Sequence, residues 1–146
     1  KKHCNSSIPK RDILNTEDLE LLNLLDKKID KIYYHMNDFK INSYIEEVFE
    51  VISLTNKYFS DQKPWELKDE DPNRMYTVLW VTMEMIRKFG ILLQPIMPES
   101  CKKLLDLLCI KKDKRDLNCI GNKFSLRFGE PIKEPTIIFP KIEYKK

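Results

Sequence analysis

Glycine is scarce in this chain, with only three glycines among 146 residues. Gly90, Gly121 and Gly129 are isolated, so no glycine-rich loop is available to cradle a phosphate group. Few glycines also argue against a β-sandwich or a doubly wound sheet, which depend on glycine-rich turns. A composition that is 42% hydrophobic and 34% charged favours a helix-rich globular protein instead.

Patterns of catalytic and metal-binding residues are also lacking. Neither histidine, His3 or His35, has an obvious nucleophile as a partner, and the four cysteines form no Cys-x-x-Cys pair. We therefore expect no catalytic residue and no metal site, and interpret the cysteines as reduced structural thiols. The residues indicate a binding or structural domain.

Long apolar runs are missing as well. No run approaches the roughly 20 residues that cross a bilayer, and residues 1–10 lack the apolar centre of a signal peptide. We expect a cytoplasmic protein with no membrane partner.

The charge is unevenly distributed along the chain. Residues 1–110 hold 16 Lys and Arg against 18 Asp and Glu, whereas residues 111–146 hold 10 against 5. If the partner is a nucleic acid, the basic tail adds salt-dependent attraction to its backbone, and specific contacts elsewhere must contribute more.

Apolar residues that recur every three or four positions predict four helices, at about 16–37, 42–60, 72–93 and 98–109. Asn15 or Thr16 can cap the first helix. Ser43 with Glu46 has the form of a capping box for the second, although Asp38 could cap an earlier start.

The third helix is predicted to lie at the centre of the fold. It begins at Asp71-Pro72, an N-cap acid followed by the residue favoured at the first helical position. It is apolar around most of its girth, as expected of a central helix. Pro95 and Pro98 form a tight corner before the fourth helix. Residues 1–110 are therefore predicted to be an all-α helical bundle.

Residues 111–146 are predicted to be a basic, mostly extended tail that packs on the bundle. Phe124, Leu126 and Phe128 alternate at period two, which suits either a short strand or a segment that lies over the bundle. Prolines near the end favour an extended course.

A polar connector at residues 62–71, predicted to be a loop, contains a tryptophan directly after a proline. In one interpretation Trp65 plugs the open end of the bundle, with its ring against the first and third predicted helices and its N–H hydrogen-bonded. In the other, Trp65 is a stacking platform for a nucleic-acid base, with Pro64 setting its presentation. Residue types alone favour the plug.

Three stretches together resemble the C-terminal anticodon-binding domain of class I methionyl-tRNA synthetases. They are "TNKYFSDQKPWEL", the Asp71-Pro72 pair, and "VLWVTMEMIRKFGILLQPIMPES", which ends in a corner at Leu93, Pro95 and Pro98. The final "IIFPKIE" is similar to the ending of such enzymes when no further domain follows. The resemblance extends from about Ser7 to the end.

The resemblance implies roles for five residues. Trp65 stacks on an anticodon base of tRNA-Met, the first-position cytosine, with Pro64 fixing its presentation. Asn56 is a polar contact to the anticodon or, equally, an internal hydrogen-bonding residue. Lys57 and Lys63 are phosphate contacts or simply exposed lysines that aid solubility. The implied partner is the anticodon stem-loop of tRNA-Met.

The resemblance also implies a larger parent enzyme, a methionine-tRNA ligase that uses ATP with Mg in a catalytic domain of the same polypeptide. The signatures of that domain are absent here, so we expect a fragment that binds no cofactor and forms no methionyl adenylate. The stretch "KKHC" is similar to the last turn of a preceding helix. The alternative is a helical protein-interaction module with no nucleic-acid role.

Overall fold

The computed structural model describes residues 4–139 and has five α-helices in that range. In chain order they are α1 (Thr16–Asn37), α2 (Ile41–Gln62), α3 (Pro64–Glu70), α4 (Pro72–Leu92) and α5 (Pro98–Leu107). Three 3-10 turns follow, at Lys112–Lys114, Leu117–Cys119 and Asn122–Phe124. The predicted all-α bundle is confirmed. Among residues 4–139, no helix is both long and apolar enough to cross a membrane.

Helix α1 begins with a capping box. The Asn15 side chain accepts a hydrogen bond from the Asp18 backbone at 2.9 Å, and the Asp18 carboxylate accepts one from the Asn15 backbone at 3.0 Å. Of the two predicted caps, Asn15 is therefore the one used, and each partner satisfies an N–H that the helix itself cannot pair.

Helix α2 begins earlier than the capping-box pattern predicts. It starts at Ile41, which places Ser43 and Glu46 inside the helix, so that predicted cap is wrong. Tyr44 in the first turn is buried, and its hydroxyl donates to the Leu92 carbonyl at 2.5 Å. Burial of a large side chain outweighs a local cap that is worth about 1 kcal/mol.

Helix α4 lies at the centre of the bundle, as predicted from its apolar circumference. It contacts α1, α2, α3 and α5, and Val78, Val81 and Met85 on it are fully buried. Gly90 lets α5 approach closely, because a Cβ at that position would stand 2.9 Å from Cδ2 of Leu105.

The structure corrects the predicted loop at residues 62–71, since Pro64–Glu70 form helix α3. Lys63 ends α2 in a left-handed conformation with φ 42°, and Pro64 takes the first helical position, which its fixed φ favours. Pro64 is buried and Leu67, one turn later, is partly buried against the core, so the two residues anchor α3. Seven residues make fewer than two turns, too few for a hydrophobic period to be visible.

The tail follows one of its two predicted alternatives. Between residues 111 and 139 there are 3-10 turns and no strand, apart from an isolated bridge between Ser7 and Pro131, so the strand alternative is wrong. Leu126 is buried whereas Phe128 is exposed, so the segment lies over the bundle without strand alternation. The expected helical turn at residues 1–4 lies outside the described residues except for Cys4, which is in a turn.

A buried ion pair on α4 fastens this segment. Glu84 and Arg87 are both fully buried, with Arg87 Nη2 at 2.7 Å from Glu84 Oε1. Arg87 also donates to the carbonyls of Cys119 at 2.8 Å and Ile120 at 3.0 Å. Glu84 accepts the backbone N–H of Leu126 at 3.0 Å. These bonds compensate the cost of burying the two charges, which is otherwise several kcal/mol per ion.

Candidate nucleic-acid interface

Helix α3 presents its residues at one end of the bundle, between the end of α2 and the start of α4. The left-handed Lys63 turns the chain out of α2. At the other side, the Asp71 side chain accepts the Arg74 backbone N–H at 2.9 Å and caps α4, with Pro72 at the first helical position. The predicted start of this helix is confirmed, and α3 is held between two defined helix ends.

Trp65 is exposed on α3, with 59% of its surface accessible. One edge of the ring meets Phe59 on α2, with centroids 6.1 Å apart and planes at 61°. This T-shaped contact is the favoured geometry of an aromatic pair and restrains the indole without covering it. The arrangement matches a platform.

The buried plug is found at the other tryptophan. Trp80 on α4 is buried, and its indole N–H donates to the Leu126 carbonyl at 3.1 Å. The guanidinium of Arg11 lies 4.8 Å from the centre of its ring. Trp80 therefore has the burial and the hydrogen bond that one interpretation assigned to Trp65.

A charged network joins three helices beside α3. Asp18 on α1 is fully buried, and it receives Arg74 Nη1 at 2.6 Å and Arg74 Nη2 at 2.8 Å from α4. The Tyr58 hydroxyl on α2 donates to the same carboxylate at 2.5 Å. Gln62 at the end of α2 accepts from Arg74 and donates to Glu17. The network fixes the end of α2 and the start of α4, the two helix ends that flank α3.

The network sets the charge state of its members. Burial alone would raise the pKa of Asp18, but hydrogen bonds from Arg74, Tyr58 and Asn15 together lower it below its usual range. Burial and the neighbouring Asp18 carboxylate raise the pKa of the Tyr58 hydroxyl. At neutral pH, Asp18 is therefore an ionised carboxylate that accepts hydrogen bonds from Arg74, Tyr58 and the Asn15 backbone.

Of the other predicted site residues, Asn56 and Lys63 lie close to the Phe59–Trp65 pair, whereas Lys57 lies on a separate groove. Asn56 is exposed and lies one turn before Phe59 on α2, so it is a neighbour of the aromatic pair. Lys63 adjoins Trp65 and pairs with Glu66 at 3.3 Å. Lys57 instead lines a groove between α1 and α2, of about 520 Å³, to which Trp65 does not contribute.

Sequence reasoning missed the supports of the site. Nothing local to Asp18 indicates that Arg74, 56 residues later, pairs with it. Phe59 follows the helical spacing of apolar residues in α2, and that spacing gives no signal of its contact with Trp65.

The surface around Trp65 carries little positive charge. Residues 56–71 hold three Lys against five Asp and Glu, a balance of −2. An RNA loop held here would gain from stacking and hydrogen bonds rather than from charge.

Comparison with known proteins places the chain beside enzymes that charge tRNA. The family model described as "anticodon binding domain of methionyl tRNA ligase" matches residues 8–146. A methionine–tRNA ligase of Rhizobium meliloti is 40% identical over 140 residues, which cover 96% of this chain and 27% of that protein. One of Rickettsia conorii is 34% identical over 126 residues, covering 86% and 25%.

Solved structures agree in fold. The apo form of Mycobacterium tuberculosis methionyl-tRNA synthetase superposes with a TM-score of 0.92 at 30% identity, covering 99% of this chain and 29% of that one. The same enzyme in complex with methionyl-adenylate gives 0.91 at 31% identity, covering 96% and 28%. The chain thus spans less than a third of the length of these relatives.

Proposed function

This chain belongs to the family of anticodon-binding domains of methionyl-tRNA ligases, and we propose that it reads the anticodon stem-loop of tRNA-Met. The polypeptide that contains it would be a cytoplasmic methionine–tRNA ligase, which attaches methionine to tRNA-Met at the expense of ATP. A catalytic domain elsewhere in that polypeptide would bind ATP with Mg and form the methionyl adenylate.

The observation that carries this proposal is the open face of Trp65. Exposure of an indole to solvent has an energetic cost. A tryptophan with a purely structural role is expected to be buried, as Trp80 is. Stacking of one base on an aromatic ring contributes about 1–3 kcal/mol and leaves the base edges free. Trp65 would stack on the first anticodon base, a cytosine, with buried Pro64 fixing the start of α3.

Asn56 would supply polar discrimination next to that stack. Its side-chain amide both donates and accepts, so it can pair with a base edge that an apolar neighbour such as Phe59 cannot recognise. Lys63 would bind a phosphate of the loop. Giving up its ion pair with Glu66 would cost little free energy, because that pair is exposed. Lys57 would meet a phosphate only if the loop also crosses the groove between α1 and α2.

The rigid surroundings of Trp65 would favour RNA binding. Because Asp18, Arg74 and Tyr58 lock α1, α4 and α2 together, the stacking surface is positioned before RNA arrives. Less conformational freedom is then lost on binding. Anticodon binding at this end would orient the acceptor end of the tRNA toward the distant catalytic domain.

Replacement of Trp65 by alanine in the full polypeptide tests the proposal. We expect kcat/KM for tRNA-Met in aminoacylation to fall roughly 5-fold to 150-fold, which corresponds to the loss of about 1–3 kcal/mol. Methionine-dependent ATP–pyrophosphate exchange should stay unchanged, because adenylate formation does not involve the anticodon.

Two variants serve as controls. Trp65→Phe retains an aromatic face and should recover part of the loss. Phe39→Ala removes an exposed aromatic residue near the opposite end of α2, about 33 Å away for a helix of 22 residues, and should have no effect. Unchanged kinetics with tRNA for Trp65→Ala would remove Trp65 from recognition.

A further inference from the structure

Five exposed cations line two adjoining cavities beside the 3-10 turns. We call this surface the basic ridge; its members are Arg11, Lys111, Lys114, Lys123 and Arg127. One cavity, of about 240 Å³, is lined by all of them except Arg11. The other, of about 410 Å³, is lined by Arg11, Lys123 and Arg127. The ridge is therefore continuous across both cavities.

The ridge cations are not engaged by carboxylates of the described residues. The one acidic residue that lines these cavities, Glu130, accepts the backbone N–H of Arg127 at 3.1 Å rather than a cationic side chain. Arg115, in the same region, is paired with Asp106 at 2.6 Å. Cations that no described carboxylate neutralises produce a positive field on their surface, which attracts an anionic partner.

The backbone under the ridge is rigidly attached to α4. Arg87 and Glu84 bind the backbone between Cys119 and Leu126, as described above, and Trp80 donates to the Leu126 carbonyl. Lys123 and Arg127 thus project from a fixed segment instead of a free tail. Cations on a preorganised scaffold lose less entropy when they bind.

The segment that carries Lys123 and Arg127 lies near α3 along the axis of α4. Trp80 is eight residues and Glu84 twelve residues after Pro72, so the segment that they hold is about 12–18 Å along the α4 axis from α3. Residues 111–127 hold six Lys and Arg against two Asp, a balance of +4, whereas the surroundings of Trp65 have −2. Sequence recognition and charge attraction are therefore located on different surfaces of the domain.

We propose that the basic ridge binds the sugar-phosphate backbone of the tRNA stem while Trp65 holds the loop. The inference rests on the proposed function and adds the surface that supplies non-specific affinity. Each cation that meets a phosphate releases a counterion, so binding through the ridge is sensitive to salt and insensitive to the anticodon sequence.

The test replaces two ridge cations, Lys123→Gln with Arg127→Gln, in the full polypeptide. The dissociation constant for tRNA-Met is measured over a series of KCl concentrations. We expect the slope of log Kd against log salt to fall by about 0.7–0.9 for each lost contact. The 1 M reference is one decade above 0.1 M salt. A slope that is smaller by 0.7 therefore corresponds to roughly fivefold weaker binding at 0.1 M for each lost contact.

A matched control is the pair Lys102→Gln with Lys103→Gln, which removes the same charge from exposed positions on α5. This pair should leave the slope unchanged. Equal losses in both double variants would reduce the effect to net charge and overturn the proposal, as would an unchanged slope in the ridge variant. Saturable binding of inorganic phosphate that depends on the ridge but leaves the affinity for tRNA unchanged would identify a small-anion site and also overturn it.

The readouts separate this inference from the proposed function. The ratio of Kd values for a CAU stem-loop and an altered triplet reports anticodon recognition and should be the same in the ridge variant and in the wild type. If that ratio is 1 in the wild type, the proposed anticodon recognition fails, whatever the salt slope. If the ratio is preserved and the slope does not respond, only the ridge proposal fails.

Discussion

Replacement of Arg74 by methionine should destabilise the domain severely, because it leaves the Asp18 carboxylate buried without its cation. Asp18 is fully buried and the side chain of Arg74 is 18% exposed. Removing one partner of a buried ion pair costs about 3–5 kcal/mol. Because Arg74 is partly accessible, we expect the lower end, about 3 kcal/mol, which lowers Tm by about 6–12 °C in a domain of this size.

The assay is urea unfolding followed by helical circular dichroism. The midpoint should fall while the slope of free energy against urea stays the same, since the surface exposed on unfolding does not change. A control is Lys31→Met, which breaks an ion pair of 2.5 Å to Glu47 in which Lys31 is 60% exposed. That variant should lose less than about 1 kcal/mol.

The loss of stability in Arg74→Met should depend on pH. The native pKa of Asp18 is lowered, so its contribution is complete above the unfolded value of about 3.9 and is lost as pH falls through the native value. The difference in stability between wild type and Arg74→Met should therefore be largest at neutral pH and shrink in acid. Asp18→Asn should recover part of the loss in the Arg74→Met background. If Arg74→Met costs no more than Lys31→Met, the network does not hold the helix ends.

Two further predictions concern the packing of α4. Burial raises the pKa of Tyr44 to about 12. The stability of the domain should therefore decline as pH rises from about 10 to 12. The decline should be smaller in Tyr44→Phe, and an unchanged decline in that variant would show that other groups cause it. Gly90→Ala should cost about 1–3 kcal/mol in urea unfolding because its Cβ would stand 2.9 Å from Leu105. Gly121→Ala, whose Cβ would meet nothing within 4 Å, should be neutral, and equal effects would refute the close approach.

The long helices could be predicted from the sequence because their burial is periodic. The spacing of apolar residues located α1, α2, α4 and α5 to within a few residues of their observed bounds. Helix α5 ends at Leu107, two residues before the predicted end, where the chain approaches a left-handed Cys109 with φ 54°. Helix α3 was missed because a single buried turn has no period.

The buried charges could not be predicted because their partners are distant in sequence. Glu84 and Arg87 lie on an apolar helix, and their burial depends on backbone groups more than 30 residues later. Lys88 is likewise fully buried and reaches Asp26 on α1 at 3.0 Å. A pattern of residue types predicts such groups at the surface, since unpaired charges are excluded from cores.

The sequence singles out Pro64 and Trp65 but not their geometry. Residue types alone favoured burial of Trp65, whereas its side chain is 59% exposed. Its exposure follows from the short helix that presents it, and the edge contact to Phe59 follows from how α2 ends. Both are tertiary properties.

The most direct measurement of the central claim is the binding of two anticodon stem-loops at one salt concentration. A CAU loop and a loop with one altered first base are each titrated against the wild-type polypeptide and against Trp65→Ala. We predict that the wild type prefers CAU, and that Trp65→Ala binds the CAU loop roughly 5-fold to 150-fold more weakly than the wild type does, as expected for the loss of one stacked base. Equal affinity of the two proteins for the CAU loop, or no preference for CAU in the wild type, would contradict this prediction.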